Sequence, residues 1–152
     1  MKRGAHGDVL LVVALGGGLG SLARYGLAEA MPHPEGGFAA STLLTNIGGC
    51  LLIGALMVII TDSARPHRLL RPFLGIGILG GFTTFSTYVV DAIESVLAGN
   101  AGIAIAYAVA SVVASLVAVV AGMLLTRTVM HGFGKRRRSE VSRKPENQHG
   151  GV

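Results

Sequence analysis

Gly80-Gly81-Phe82-Thr83-Thr84-Phe85-Ser86-Thr87-Tyr88 lies in the middle of an apolar segment that runs from about Pro72 to Ala98. Paired glycines weaken a helix, and the hydroxyls of Thr and Ser compete with the backbone for its own hydrogen bonds. Aromatic rings are interleaved among them. The pattern predicts a membrane helix broken near its centre, because an interrupted backbone survives at membrane depth only where protein or a polar cavity surrounds it. Broken helices of this kind present carbonyls to cations and polar groups to anions, so the break is the expected functional site.

The rest of the chain supports a membrane setting. Of 152 residues, 51% are hydrophobic and 14% charged, with no Trp, and the mean hydropathy is +0.60. Such a composition excludes an ordinary soluble domain. Four apolar stretches, about 9–30, 38–60, 72–98 and 101–126, each suffice for a span of about 20 residues. The expectation is an all-α integral membrane protein with four transmembrane helices, the third of them broken. A short N-terminal segment (1–8) precedes a four-span domain (9–130), and a basic tail (131–152) follows, expected to be disordered and drawn to anionic lipid. No cleavable leader is expected, since the first apolar stretch is full-length and carries Arg24 near its far end. The single cysteine, Cys50, lies inside the second span and is read as a small packing residue.

Net charge is +5, but the positive residues gather at chain ends and one loop, which favours a bilayer over nucleic acid. With the N-terminus inside, every Lys and Arg except Arg24 falls on the cytoplasmic side: Lys2, Arg3, Arg65, Arg68, Arg71, Arg127, Lys135, Arg136, Arg137, Arg138, Arg143 and Lys144. The positive-inside rule then predicts N-in, C-in topology.

Polar groups within the spans mark the rest of the candidate site. Gly16 and Gly20 have the small-xxx-small spacing of closely packed helices, and Arg24-Tyr25 follows, as an interfacial pair or a vestibule charge that concentrates anions. Thr42 and Asn46 share a face of the second span, and an amide there either glues helices or faces a polar pathway. Asp91 and Glu94, near the end of the third span, are expected to be solvated. Ala98-Gly99-Asn100 is a predicted turn. Tyr107, Ser111 and Ser115 recur every four residues along the fourth span as a hydroxyl track. All five His residues, His33 among them, fall in loops or tails, which argues against a membrane metal centre or a His proton relay.

No span assembles a nucleophile, base and orienting acid, so the chain is not expected to be an enzyme. Its uncharged hydrogen-bond donors and ring edges suit a small, strongly hydrated anion, which full positive charge would trap. Carbonyls at the break suit a hard cation.

These motifs together resemble the small bacterial fluoride channels, the Fluc or CrcB family, over about Val9 to Met130. The matching segments are Gly17-Gly18-Leu19-Gly20-Ser21-Leu22-Ala23-Arg24-Tyr25, Thr42-Leu43-Leu44-Thr45-Asn46, the stretch from Gly80 to Tyr88, and the Tyr107/Ser111/Ser115 stripe. The resemblance implies an antiparallel dimer that lets fluoride leak passively out through the inner membrane, relieving its toxicity, with a structural sodium ion where two broken helices cross. It implies sodium ligands at the Gly80 and Thr83 carbonyls, a pore amide at Asn46, ring edges at Phe85 and Tyr88, and pore hydroxyls at Ser86 and Thr87. Tyr107, Ser111 and Ser115 become the polar track and Arg24 the vestibule charge. Tyr88 departs from the family's usual second Phe, which places the ordinary ring-edge mechanism in question for this subunit. Because the basic residues are so one-sided, a fixed orientation is expected, and with it a heterodimer with an oppositely inserted paralogue. Two other readings compete: a proton-coupled small multidrug exporter, which needs an embedded carboxylate in span 1, and a non-transporting scaffold.

Overall fold

The computed structural model describes the backbone of residues 4–32, 37–63 and 67–142, and the side chains of residues 6–32, 37–63 and 67–131. All regular structure among the described residues is helical. In order these are α1 (Gly4–Ala30), α2 (Ala40–Asp62), a π-helical stretch (Arg71–Leu79), the single turn α3 (Gly80–Phe82), α4 (Ser86–Leu97) and α5 (Ala101–Ser142). Four helical runs are long and apolar enough to cross a bilayer: His6–Ala30, Ala40–Asp62, Arg71–Leu97 and Ala101–His131. The four-span, all-α architecture is therefore the one the hydropathy predicts.

Two features differ from the sequence expectation. The helix α5 continues to Ser142, whereas no order was expected beyond His131. Lys and Arg are good helix formers, and a helix already nucleated in the membrane propagates through them at little cost. The opening of the third span is also wound more loosely than an α-helix. There the N–H of Gly80 reaches the carbonyl of Gly75, five residues back, in the manner of a π-helix. The expectations for Lys2, Arg3, His33, Arg65, Arg143 and Lys144 lie outside the described residues.

Helix–helix contact is made through glycine. A Cβ on Gly16 would stand 2.6 Å from the Phe73 carbonyl oxygen, and one on Gly20 would collide with the carbonyl of Ile78 and stand 2.8 Å from the Phe82 nitrogen. From the other side, a Cβ on Gly81 would strike the Gly17 carbonyl. These backbones touch because no side chain intervenes, the packing that small-xxx-small spacing permits. A second pair, Gly54 and Gly122, brings α2 against α5 in the same way.

The third span changes partner at its break. Its first half and α3 lie along α1, while α4 lies along α5, which also carries α2; α1 and α2 touch lightly. After α4 the chain reverses through Gly99 at φ 79°. The Gly99 N–H binds the Val96 carbonyl (3.0 Å) and the Asn100 N–H the Ser95 carbonyl (2.8 Å), which is the Schellman closure. The predicted turn at Ala98-Gly99-Asn100 is thus present. At the opposite end an exposed Arg68–Asp8 pair (2.6 Å) joins the start of α1 to the segment leading into the third span.

Burial is inverted relative to a soluble protein. Ser41, Thr42, Thr45, Thr84, Asp91, Ser95 and Ser111 are buried, whereas Leu10, Leu22, Leu116, Val117 and Leu124 stand exposed. Lipid is the solvent that makes this arrangement stable, since it favours apolar side chains outside and requires polar ones to find partners within.

Candidate functional site

Helical geometry lapses from Thr83 to Phe85, with Thr83 in an extended conformation at φ −75° and ψ 151°. Asn46 of α2 fills the gap. Its Nδ2 donates to the Thr84 carbonyl (2.9 Å), and its Oδ1 accepts from the Thr84 N–H (2.9 Å). The backbone donor fixes which way the amide points, because an N–H must meet the oxygen. An amide has two N–H groups. One is spent on Thr84, leaving the second for whatever occupies the neighbouring space.

The Thr84 hydroxyl completes the break. It accepts from the Thr87 N–H (3.1 Å), donates to the Thr87 hydroxyl (3.0 Å) and lies 3.3 Å from the Ser86 hydroxyl. One orphan donor of α4's first turn is satisfied in this way. This arrangement leaves the carbonyls of Gly80 and Thr83 without their helical donors. In a continuous helix their carbonyls would accept from the N–H groups four residues on, Thr84 and Thr87. Asn46 and the Thr84 hydroxyl have taken those two donors instead.

Two cavities flank the clasp. The first, about 180 Å³, is polar and is lined by Ser21, Arg24, Thr42, Thr45, Thr84 and Thr87 among others. Arg24 is half-buried there. Its Nε donates to the Gly81 carbonyl (3.2 Å) and its Nη1 to the Thr87 hydroxyl (3.5 Å), while Ser21 reaches the same carbonyl at 3.4 Å. No carboxylate pairs with Arg24 among the described residues. Part of the guanidinium fork remains for an anion, since two of its five donors are used.

The second cavity, about 270 Å³, is largely apolar with a few convergent polar groups. Asn46, Cys50, Phe85, Tyr88, Ser111 and Ser115 line it. Ser111 is 3% exposed, and its hydroxyl interacts with that of Tyr107 one turn back on the same helix. Rings form a ladder beside it: Phe85 to Tyr88 (centroids 5.5 Å), Tyr88 to Tyr107 (5.6 Å), and Tyr107 edge-on to Phe38 (5.4 Å). The Tyr88 hydroxyl meets the Ala108 carbonyl at 3.5 Å, the outer limit of a hydrogen bond.

The sequence-nominated residues therefore divide. Asn46, Phe85, Tyr88, Ser111 and Ser115 share one cavity, and Arg24 and Thr87 share the other. Ser86 is exposed at the break, and Tyr107 is set back, wholly buried. Its hydroxyl donates to Asp91 Oδ2 (3.1 Å), and Ser95 donates to the Asp91 carbonyl (3.0 Å). That corrects one expectation: Asp91 is buried rather than solvated, while Glu94 is exposed. The available signal was that Asp91 lies four residues after Thr87 and so shares its face. Thr84, which the sequence reading did not nominate, forms the break itself, and Cys50 borders the second cavity. Among the described residues no group of three His, Cys, Asp or Glu side chains is placed to hold a metal ion.

Four apolar spans, an interrupted third, and uncharged donors gathered at the interruption define a polytopic membrane protein built to handle an ion at mid-membrane. Comparison with known proteins narrows the class. The family described as CrcB-like protein, Camphor Resistance (CrcB), matches residues 11–123, and the chain belongs to it. Among curated relatives, a protein of Streptomyces avermitilis named fluoride-specific ion channel FluC 2 is 53% identical over 108 residues, 70% of this chain and 68% of the relative. Another of that name, from Thermobifida fusca, is 44% identical over 131 residues, covering 86% of this chain and 97% of the relative. A protein of Paracoccus denitrificans named fluoride-specific ion channel FluC is 44% identical over 117 residues, 77% of this chain and 93% of the relative.

Proposed function

We propose that this protein is a fluoride channel that lets the anion leave the cell passively and so lowers its toxicity. The observation that carries the proposal is a clasped amide that shares one cavity with serine hydroxyls and aromatic rings. Asn46 keeps one N–H free, and the Ser111 hydroxyl, buried beside that of Tyr107, lines the same cavity. Those donors replace water around a small halide without the full charge that would hold it there. Arg24, unpaired by any described carboxylate, sits in the cavity on the other side of the clasp and concentrates anions. The names of the relatives support the choice of fluoride.

The protein lies in the bacterial inner membrane, with both termini cytoplasmic, as its basic residues favour. Sodium fits the break, because the carbonyls of Gly80 and Thr83 have lost their intrahelical donors to Asn46 and Thr84. A hard cation takes such oxygens, and once bound it would neutralise carbonyl charge beside the anion path. In an antiparallel dimer the open side of the second cavity is closed by the partner subunit. The one-sided basic residues favour a paralogue in that place over a second copy.

An electrode that follows fluoride leaving loaded liposomes tests the proposal. Steady efflux without an imposed pH gradient supports a channel; efflux that needs one favours the exporter reading. Asp8 is ion-paired at the surface and Glu29 is exposed, so span 1 offers that exporter no embedded carboxylate. The scaffold reading predicts no efflux at all.

A further inference from the structure

Asp91 is a carboxylate inside a membrane span to which the anion path described above gives no role. It is 7% exposed on α4, near the buried Ser95. No basic side chain pairs with it among the described residues. Of the described helices only α2 and α5 pack against α4. The described charges on those two, Asp62 and Arg127, stand about 30 Å along their helices from Thr42 and Tyr107. An ionisable group so placed in a membrane protein is costly and marks function. The Tyr107 hydroxyl donates to its Oδ2 at 3.1 Å, and Tyr107 is itself 1% exposed. Thr42 from α2 and Ser111 from α5 reach the same hydroxyl. Thr42 lines the polar cavity with Arg24, whereas Ser111 lines the second cavity with Asn46. One phenol oxygen therefore joins a carboxylate to the linings of both cavities.

We infer that Asp91 is a positioning residue for the anion path: by holding the Tyr107 proton it keeps the phenol oxygen open as the resting acceptor for Ser111, whose hydroxyl turns to an anion only when one is present. The inference rests on the channel reading above and deepens it. A phenol offers one proton and two lone pairs, and a carboxylate only accepts. With its own proton given to Asp91, Tyr107 receives Thr42 and Ser111 as donors. Ser111 has one proton, and rotation about its Cβ–Oγ bond carries it from the phenol oxygen to the cavity. Buried hydroxyls need a partner, and this one has a partner in either position: Tyr107 when the cavity is empty, the anion when it is filled. A donor with somewhere to return holds the anion weakly enough to release it, as conduction requires. Without the carboxylate, the Tyr107 proton is free to turn onto Ser111, which fixes the serine proton in the cavity. A negative charge beside the path is lost at the same time, and both changes hold the anion tighter.

Asp91→Asn keeps the shape of the side chain and removes its charge. The full-length protein is placed in liposomes, with a partner subunit if efflux requires one, and the fluoride electrode gives initial rate against internal fluoride. The substitution should lower both the maximal rate and the half-saturating concentration, the latter by about fivefold, the equivalent of one net hydrogen bond. Asp91→Glu, which keeps the carboxylate, should restore the wild-type half-saturation. A merely structural role would reduce the number of active vesicles and leave half-saturation where it was. That result overturns the inference, and so does Asp91→Glu behaving like Asp91→Asn. A second readout needs no substitution at Asp91. With carbon-13 at the tyrosine Cζ atoms, the chain's three tyrosines give separate magnetic-resonance signals, and Tyr25→Phe and Tyr88→Phe identify that of Tyr107 by elimination. Sodium fluoride should shift this signal as Ser111 leaves the phenol oxygen, sodium chloride at the same concentration should not, and Ser111→Ala should abolish the shift. A Tyr107 signal indifferent to fluoride refutes the inference. If wild-type vesicles release no fluoride, the channel reading fails, and this signal alone decides.

Discussion

Asn46 joins two requirements that pull in different directions: it must hold the break and still offer a donor to an ion. Asn46→Asp removes the N–H that Thr84's carbonyl needs and sets negative charge in an anion path. Leaving a buried carbonyl unpaired costs about 1–3 kcal/mol, and fluoride efflux should fall by about tenfold or more. The electrode assay checks this on protein that keeps the wild-type elution volume in size-exclusion chromatography. Phe85→Ile should also abolish efflux, because the aromatic ring that lines the cavity is replaced by an aliphatic side chain with no electropositive edge. Phe85 is 77% exposed, so its stability should change little. The residue types were readable in advance; their partners were not. Nothing local told that Thr84's N–H would be claimed by an amide 38 positions away, or that Asp91 would turn inward to Tyr107. Both depend on which helices meet.

Elements were the most legible level, since four apolar runs and a Gly-Gly/Ser-Thr interruption translate directly into spans and a break. The loosened winding of Arg71–Leu79 had no such signal, because hydropathy does not distinguish a hydrogen bond that spans five residues from one that spans four. Glycine spacing suggested that α1 packs closely, and the structure names what it packs on. A side chain at Gly20 would run into the backbone of Ile78, whereas one at Gly18 meets nothing within 4 Å. Gly20→Val should therefore separate α1 from the third span and destabilise the protein by about 1–3 kcal/mol or more, while Gly18→Ala should be nearly neutral. Thermal unfolding in detergent, followed by loss of monodisperse protein, distinguishes the two. A shift of equal size for both substitutions would contradict the packing described here.

For the molecule as a whole, topology is the property the sequence states most loudly and the bundle alone says least about. Basic residues on one side predict a single orientation, so a cysteine appended after Val152 in a Cys50→Ser background should react with impermeant maleimide only after the cells are opened. Labelling of a substantial fraction in intact cells would argue for insertion both ways. Stability should also depend on the cation. If sodium occupies the carbonyls of Gly80 and Thr83, replacing it with N-methylglucamine should lower the unfolding temperature, following the logarithm of ligand concentration over its dissociation constant.

The reach of α5 carries this further. Its 42 residues extend about 63 Å at 1.5 Å per residue, roughly twice the thickness of a bilayer's hydrocarbon core. A stub bearing Lys135 and the three arginines that follow must protrude into one compartment. Were two identical chains to sit upside down relative to each other, one stub would have to be threaded across the bilayer and left bathing in the medium outside. Basic clusters are kept on the cytoplasmic side, so the expected consequence of the rod is a chain that inserts one way only, which the maleimide labelling reads directly.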